Sequence, residues 1–280
     1  MTLSVLEANP EDAIAQRLIG RPYLSPSAVA TFQRCPLKFY FSYVARLQPK
    51  FKSSSLLFGA AIHAAIEDHF RRLFAGEQAA TPDELLGVFD EKWQAEAVGE
   101  IRFGRSETIE GLRELAGRML RTFLGSEFAN PTAELIGVEE QLSGSIVPGC
   151  PTILGRADLI TRDESGVLRI TDFKTSRTAW GNAKIDESTP QQIVYAELAR
   201  PLAEALGVDE IKLDWLVLRK TKTPTIERHE LIASQARVNQ VKATIRRVWR
   251  AIQAGNFYPV PSAMNCSTCA FRRACDEWEG

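Results

Sequence analysis

Two runs of aliphatic and β-branched residues, ILGRADLITR and VLRITDFKTSR, flank Asp163-Glu164-Ser165-Gly166 and predict a β-hairpin. Gly166 can supply the left-handed residue that closes a three-residue loop, Glu164 to Gly166. Asp163 then pairs with Val167, which sets Ile160 opposite Ile170 and Asp158 opposite Asp172. Lys174 shares a face with Asp172, and Phe173 points the other way into a core. Further strands are expected over AELIGVEEQLSGSI, EIKLDWLVLRK and PTIERHELI. Helices are expected from Ser25-Pro26, from Pro36 (with Phe39, Tyr40, Phe41 and Tyr43 as packing residues) and over FGAAIHAAIEDHF. Thr81-Pro82-Asp83-Glu84 is a capping box, and Ser106 is expected to open a helix whose apolar residues Ile109, Leu112, Leu115, Met119, Leu120 and Phe123 recur at helical spacing. Thr189-Pro190 should begin another helix, and ARVNQVKATIRRVWRAIQAG reads as an amphipathic one. The first twenty or so residues carry no strong pattern.

The hairpin register places chemistry in an apolar setting. Directly opposed side chains of an antiparallel pair stand about 5 Å apart, and like charges there repel. Asp158 facing Asp172, with Lys174 beside them, is tolerable if a divalent cation sits between the acids. Surface hairpins with Asp and Lys are common, so the alternative is a solvated edge. His63 and Glu67 lie one helical turn apart, and a lone histidine on such a helix is more often a packed residue than a ligand. Gln191 and Tyr195 share a helix face at i, i+4, whereas Arg246, Arg247 and Arg250 read as a solvated face.

Composition narrows the classes. A chain of 280 residues with 45% hydrophobic and 25% charged content can bury a proper core. A formal charge of −1 argues against a protein that coats nucleic acid non-specifically. The opening residues lack a signal-peptide pattern, and no stretch approaches a membrane span, so a cytoplasmic protein is expected. There, the five cysteines are metal ligands or free thiols rather than disulfides. Cys266, Cys269 and Cys275 form C-x2-C-x5-C, a metal-ligand spacing in a tail too short to bury three thiols. Cys150 reads as a turn residue, and Cys35 would complete a clip closing a loop of more than two hundred residues. Zinc and an iron–sulfur cluster both accept four thiolates.

The ordered set R-C-P-L-K-F-Y-F, G-A-A-I-H, V-E-E, G-R-A-D-L-I, T-D-F-K-T, Q-Q-I-V-Y and C-x2-C-x5-C, spanning residues 24 to 275, resembles the RecB-type nuclease domains of the PD-(D/E)XK superfamily. The likeness is to the iron–sulfur branch that includes the AddB subunit of helicase–nucleases and the CRISPR adaptation exonucleases. It implies a mixed α/β sheet flanked by helices over residues 1–280, with a helical insertion at 70–130 and an iron–sulfur tail at 257–280 closing onto Cys35. It implies His63, Asp158 and Asp172 as metal ligands, Lys174 as the active-site lysine, and Gln191 and Tyr195 as shaping the site. Cys35, Cys266, Cys269 and Cys275 would hold a 4Fe–4S cluster. The acid of the first strand is Glu139 or Glu140, which strand alternation puts on opposite faces; the V-E pattern favours Glu139.

This resemblance implies a DNA exonuclease acting on single-stranded or end-containing DNA with Mg²⁺ or Mn²⁺, working with a helicase or a CRISPR adaptation protein and away from membranes. No phosphate-loop motif for a motor of its own is present. Two alternatives are compatible with the sequence: a non-catalytic scaffold that kept the cluster, and a zinc-ribbon-tailed endonuclease.

Overall fold

Asn9 accepts a hydrogen bond from the Glu11 N–H and Pro10 follows it, so α1 (Pro10–Ile19) starts where backbone donors are satisfied. Gly20 ends it at φ +72°. This helix was not expected, because its apolar stripe is short, but its cap and stop residues were present in the sequence. In α2 (Pro26–Arg34) the Ser25 hydroxyl accepts from Ala28 N at 3.2 Å. Cys35 ends α2, and Pro36 opens α3 (Pro36–Phe39), which runs on into a π-helical turn over Tyr40–Val44. The computed structural model describes residues 9–279; the opening residues on which the leader reading partly rests lie outside them.

Chain contacts divide the molecule into two units. One comprises Met1–Pro49, Gln141–Gly155 and Ser234–Gly280, and the other Lys50–Glu140 and Arg156–Ala233. In the second unit, β1 (Lys52–Ser53) leads into α4 (Ser54–Phe74), followed by α5 (Pro82–Glu96) with the expected capping box. β2 (Ile101–Arg102) pairs in parallel with β1. The next helix, α6 (Ile109–Leu124), is capped by Thr108, whose hydroxyl accepts from Gly111 N, and not by Ser106. A cap hydroxyl reaches the free N–H three residues on, which for Thr108 is that of Gly111 in the first turn; Ser106 lies too early.

Five strands then form one sheet, β3 (Glu134–Gly144), β4 (Ile153–Arg162), β5 (Leu168–Ser176), β6 (Ile211–Arg219) and β7 (Ile226–Leu231), side by side in that order. β4 and β5 are antiparallel, β5 and β6 parallel, β6 and β7 antiparallel. The parallel step is bridged by α7 (Asn182–Ala205), as such a crossover requires. This helix begins eight residues before the expected Pro190, which lies inside it. The ladder bond that proline cannot donate is lost, and the preceding Thr189 hydroxyl bonds to the Ile185 carbonyl at 2.8 Å. The result is a mixed α/β fold whose central sheet has helices on both faces. Phe173, Leu216 and Leu218 join α4, α5 and α6 in one apolar core, while Asp172 on the opposite face meets α7.

The first unit is completed by α8 (Gln235–Gln253) and two short tail helices, α9 (Ala263–Cys266) and α10 (Arg272–Asp276). Leu37, Phe41 and Phe271 form a small core there, with Trp278 against Tyr40 at 4.9 Å between ring centroids. Among the described residues, no helix is long and apolar enough to cross a membrane.

Phe173 fixes the strand that carries Asp172 and Lys174. Its ring stacks on Phe70 at 5.7 Å and meets Phe123 edge-on at 6.2 Å, so Phe173→Ala should cost about 3–5 kcal/mol in denaturant unfolding. A loss below about 1 kcal/mol would show that this ring does not anchor the sheet.

Candidate active site

The β4–β5 hairpin closes as its loop chemistry requires. Gly166 takes φ +81°, its N–H donates to the Asp163 carbonyl at 3.0 Å, and Asp163 N donates to the Val167 carbonyl at 3.1 Å. Ile160 stands opposite Ile170, and the ladder ends at Leu159 and Thr171. Asp158 and Asp172 follow at the next step, but the strands part there. The Asp158 carboxylate instead accepts the Phe173 N–H through Oδ2 at 2.7 Å. A side chain has taken a backbone acceptor's place, which opens a fork at the sheet while satisfying the buried donor.

His63 reaches into this fork from α4, with Nδ1 3.5 Å from Asp158 Oδ2. Glu139 reaches it from β3 by adopting φ +52°, a left-handed residue in the middle of a strand. That twist breaks the simple alternation that would have put Glu139 and Glu140 on opposite faces without indicating which faced the site; Glu140 is exposed. Among the described residues, His63, Glu139 and Asp158 form the group of three potential ligands whose donor atoms all lie within 4.8 Å of one another. Asp172 is not in that group. Its Oδ1 accepts from Gln191 Nε2 at 3.1 Å, and its Oδ2, otherwise without a hydrogen bond, has the Lys174 ammonium 2.6 Å away. Gln191 Nε2 also donates to the Tyr195 hydroxyl at 2.7 Å, so the i, i+4 pair acts as one bracket behind Asp172.

Burial and mutual repulsion set the protonation of these groups. Desolvation, reinforced by the nearby Asp172 charge, pushes the Asp158 carboxyl up to about 8. Desolvation and then Asp158 push Glu139 up to about 7. Burial, with Lys174 adding to it, holds His63 below its ordinary value and therefore neutral. Burial alone would lower Lys174, but Asp172 and Asp158 outweigh it and keep the ammonium charged. Two acids that resist ionisation beside a neutral imidazole fit a divalent cation, which would stabilise both carboxylates and accept the imidazole nitrogen. Two oxygen ligands and one nitrogen suit Mg²⁺ or Mn²⁺.

The cysteines lie in the other unit. Cys35, Cys266, Cys269 and Cys275 all line one cavity of about 260 Å³, together with Leu37, Phe41 and Phe271. No three of their sulfurs close to within 4.8 Å. Cys150 is buried elsewhere; its carbonyl accepts from Asn9 Nδ2 at 2.9 Å, and burial raises its thiol to about 11.

The PD-(D/E)XK nuclease superfamily model matches residues 23–276. The chain belongs to that superfamily. No curated protein sequence matches it. Among solved structures, a protein from Eubacterium rectale described as a "putative exonuclease" aligns over 98% of this chain and 93% of its own, with 14% identity and a TM-score of 0.58, which speaks for a shared fold. SSO0001 aligns over 90% of this chain and 96% of its own, with 18% identity and a TM-score of 0.37.

In this PD-(D/E)XK chain the structure brings together every site residue expected on the sheet and its helices: His63, Glu139, Asp158, Asp172, Lys174, Gln191 and Tyr195. His69, the other histidine of α4, is fully buried and bonds through Nε2 to the Ala129 carbonyl at 2.8 Å. Sequence reasoning missed Arg156, whose Nε lies 3.0 Å from Glu139 Oε2. Its signal was available: it precedes Asp158 by two residues and so shares that residue's strand face.

The raised acids make a pH prediction. An acid whose folded pKa lies above its unfolded value keeps a proton in the folded state that the unfolded chain has released, so folding stability falls as pH rises between the two. For Asp158 that window runs from 3.8 to about 8. In EDTA, Asp158→Asn should therefore gain in thermal midpoint over the wild type as pH rises from about 5 to 8, and Mn²⁺ should stabilise only the wild type. A difference that stays constant with pH would show that Asp158 is an ordinary ionised carboxylate.

Proposed function

We propose that this chain is a RecB-type, divalent-metal-dependent deoxyribonuclease that removes nucleotides from single-stranded DNA ends. The observation that carries the reading is the convergence of the His63, Glu139 and Asp158 donor atoms beside the Lys174–Asp172 pair. His63, Asp158 and Asp172, with Glu139, would hold Mg²⁺ or Mn²⁺, an ion that supplies a Lewis acid for the scissile phosphate and a water of lowered pKa. Lys174 offsets negative charge that develops on the phosphate oxygens as the water attacks. Gln191 orients Asp172 through Oδ1, and Tyr195 holds Gln191 in place. Burial and the Asp172 charge raise the Tyr195 hydroxyl, so it remains a neutral hydrogen-bonding group.

The same reading assigns Cys35, Cys266, Cys269 and Cys275 to one 4Fe–4S cluster. It is supported by their shared cavity. The cluster is a structural clip, with residues 257–280 closing onto Cys35. Residues 70–130 are a helical insertion on a single nuclease domain of residues 1–280. Work in the cytoplasm beside a helicase or a CRISPR adaptation protein, in DNA repair, recombination or spacer acquisition, completes the reading.

Digestion of end-labelled single- and double-stranded DNA with Mg²⁺, Mn²⁺ or EDTA tests the activity. Cleavage should require metal, favour single strands and release short products from an end. Lys174→Ala should lower the rate at least about a hundredfold with unchanged thermal unfolding, the scale for removing one positioned electrostatic group. Near wild-type cleavage by Lys174→Ala would remove Lys174 from the catalytic site, and no cleavage by any preparation would leave the scaffold reading in its place.

Metal bound only by the folded state adds its binding energy to folding. Cys35→Ser should therefore lose iron and sulfide, unfold at lower temperature and expose the tail to protease, whereas Cys150→Ser should do none of these. Full iron content in Cys35→Ser with loss in Cys150→Ser would move the clip to the other cysteine.

A further inference from the structure

Beyond Lys174, β5 leaves the core: Asp172 and Phe173 are buried, Lys174 to Ser176 half-buried, and Arg177 exposed. Lys220, one residue past β6, lies beside this end of β5, and its backbone N–H donates to the Ser176 carbonyl at 2.7 Å. Alternation puts Lys220 on the same face of the sheet as Leu216 and Leu218, the face covered by α4. Its half-buried ammonium lies 4.8 Å from the centroid of the buried Phe58 ring and 3.2 Å from the Ser55 hydroxyl. Among the described residues, no ion pair joins it to a carboxylate.

An ammonium withdrawn from water without a counter-ion is costly. Burial, with the Arg177 charge adding to it, lowers Lys220 to about 8. Arg177 is already paired with Glu107, which also accepts from Ser54 Oγ at 2.6 Å and Gly104 N at 2.7 Å. The unmatched charge is therefore that of Lys220.

Its position relates it to the active site. On α4, Ser55, Gly59 and His63 recur every four residues along one partly exposed stripe. From Ser55 to His63 is about 12 Å at 1.5 Å per residue. Gly59 keeps the middle of that stripe free of a side chain opposite Thr175. Along β5, the three residues from Lys174 to Arg177 cover about 10 Å. Ser55 and Lys220 thus lie two helical turns along α4 from His63, beside the end of β5 that follows Lys174.

We infer that Lys220, with the Ser55 hydroxyl, binds a backbone phosphate of the DNA strand away from the scissile one and so holds the strand in line with the metal site. This rests on the nuclease reading above and assigns a substrate-binding residue to it. Phosphate is the anion that such a strand presents repeatedly, and a lysine contacts it as a point charge with no need of a particular base.

The test is binding of an end-labelled single-stranded oligodeoxynucleotide across a salt series. Ca²⁺ serves as the hard divalent ion, and a denaturing gel checks that the strand stays intact. Lys220→Gln should bind about tenfold more weakly, with the slope of log affinity against log salt reduced by about one, while Lys220→Arg retains both. Thermal unfolding of Lys220→Gln should not fall, because a neutral amide is easier to bury than an unpaired ammonium. If the wild type cleaves DNA and Lys220→Gln binds with wild-type affinity and slope, the phosphate subsite is wrong and the nuclease reading stands. If the wild type neither binds nor cleaves DNA, both fall.

Discussion

The constraint on which the site depends is the Asp158 carboxylate accepting the Phe173 N–H where the β4–β5 ladder stops. Continued pairing would have occupied that donor with a backbone carbonyl and kept the strands together. Because the carboxylate does it instead, the strands fork, and the fork admits His63 from one helix and Glu139 from the neighbouring strand. The same hydrogen bond favours the ionised form of Asp158 but is outweighed by burial and by Asp172, so the acid is held in place without being comfortable as an anion. A site with that balance favours a cation over an empty, fully ionised state.

Much of this was legible in the sequence, for identifiable reasons. Gly166 and the three-residue loop fix the hairpin register, and register carries Asp158, Asp172 and Lys174 with it, because the period of a strand is two. The Gln191–Tyr195 pair follows from helical spacing in the same way. What stayed hidden depends on backbone exceptions or on distant partners. The V-E pattern points to Glu139, but the positive φ that accompanies its turn into the site is one that no alternation rule foresees. α7 runs through Pro190 because the contacts of a long helix outweigh one lost ladder bond. Lys220 stands out only once its neighbour Arg177 is seen paired with Glu107, a residue seventy positions earlier in the chain.

The residues that break local rules gather in one place. A left-handed glutamate costs on the order of 1–3 kcal/mol, two carboxyls are held away from their preferred ionisation, and an ammonium lies in a half-buried position. Spread over the molecule these would be ordinary irregularities, but together they surround one small space bounded by His63, Glu139, Asp158, Asp172 and Lys174. The Phe173 ring explains how the sheet tolerates them. It is packed between Phe70 and Phe123 on the opposite face, so the strand is secured by apolar contact at the residue between Asp172 and Lys174. Alternation makes this division possible: each step along β5 serves either the core or the site, and the energy gained on one face keeps the costly charges of the other in position.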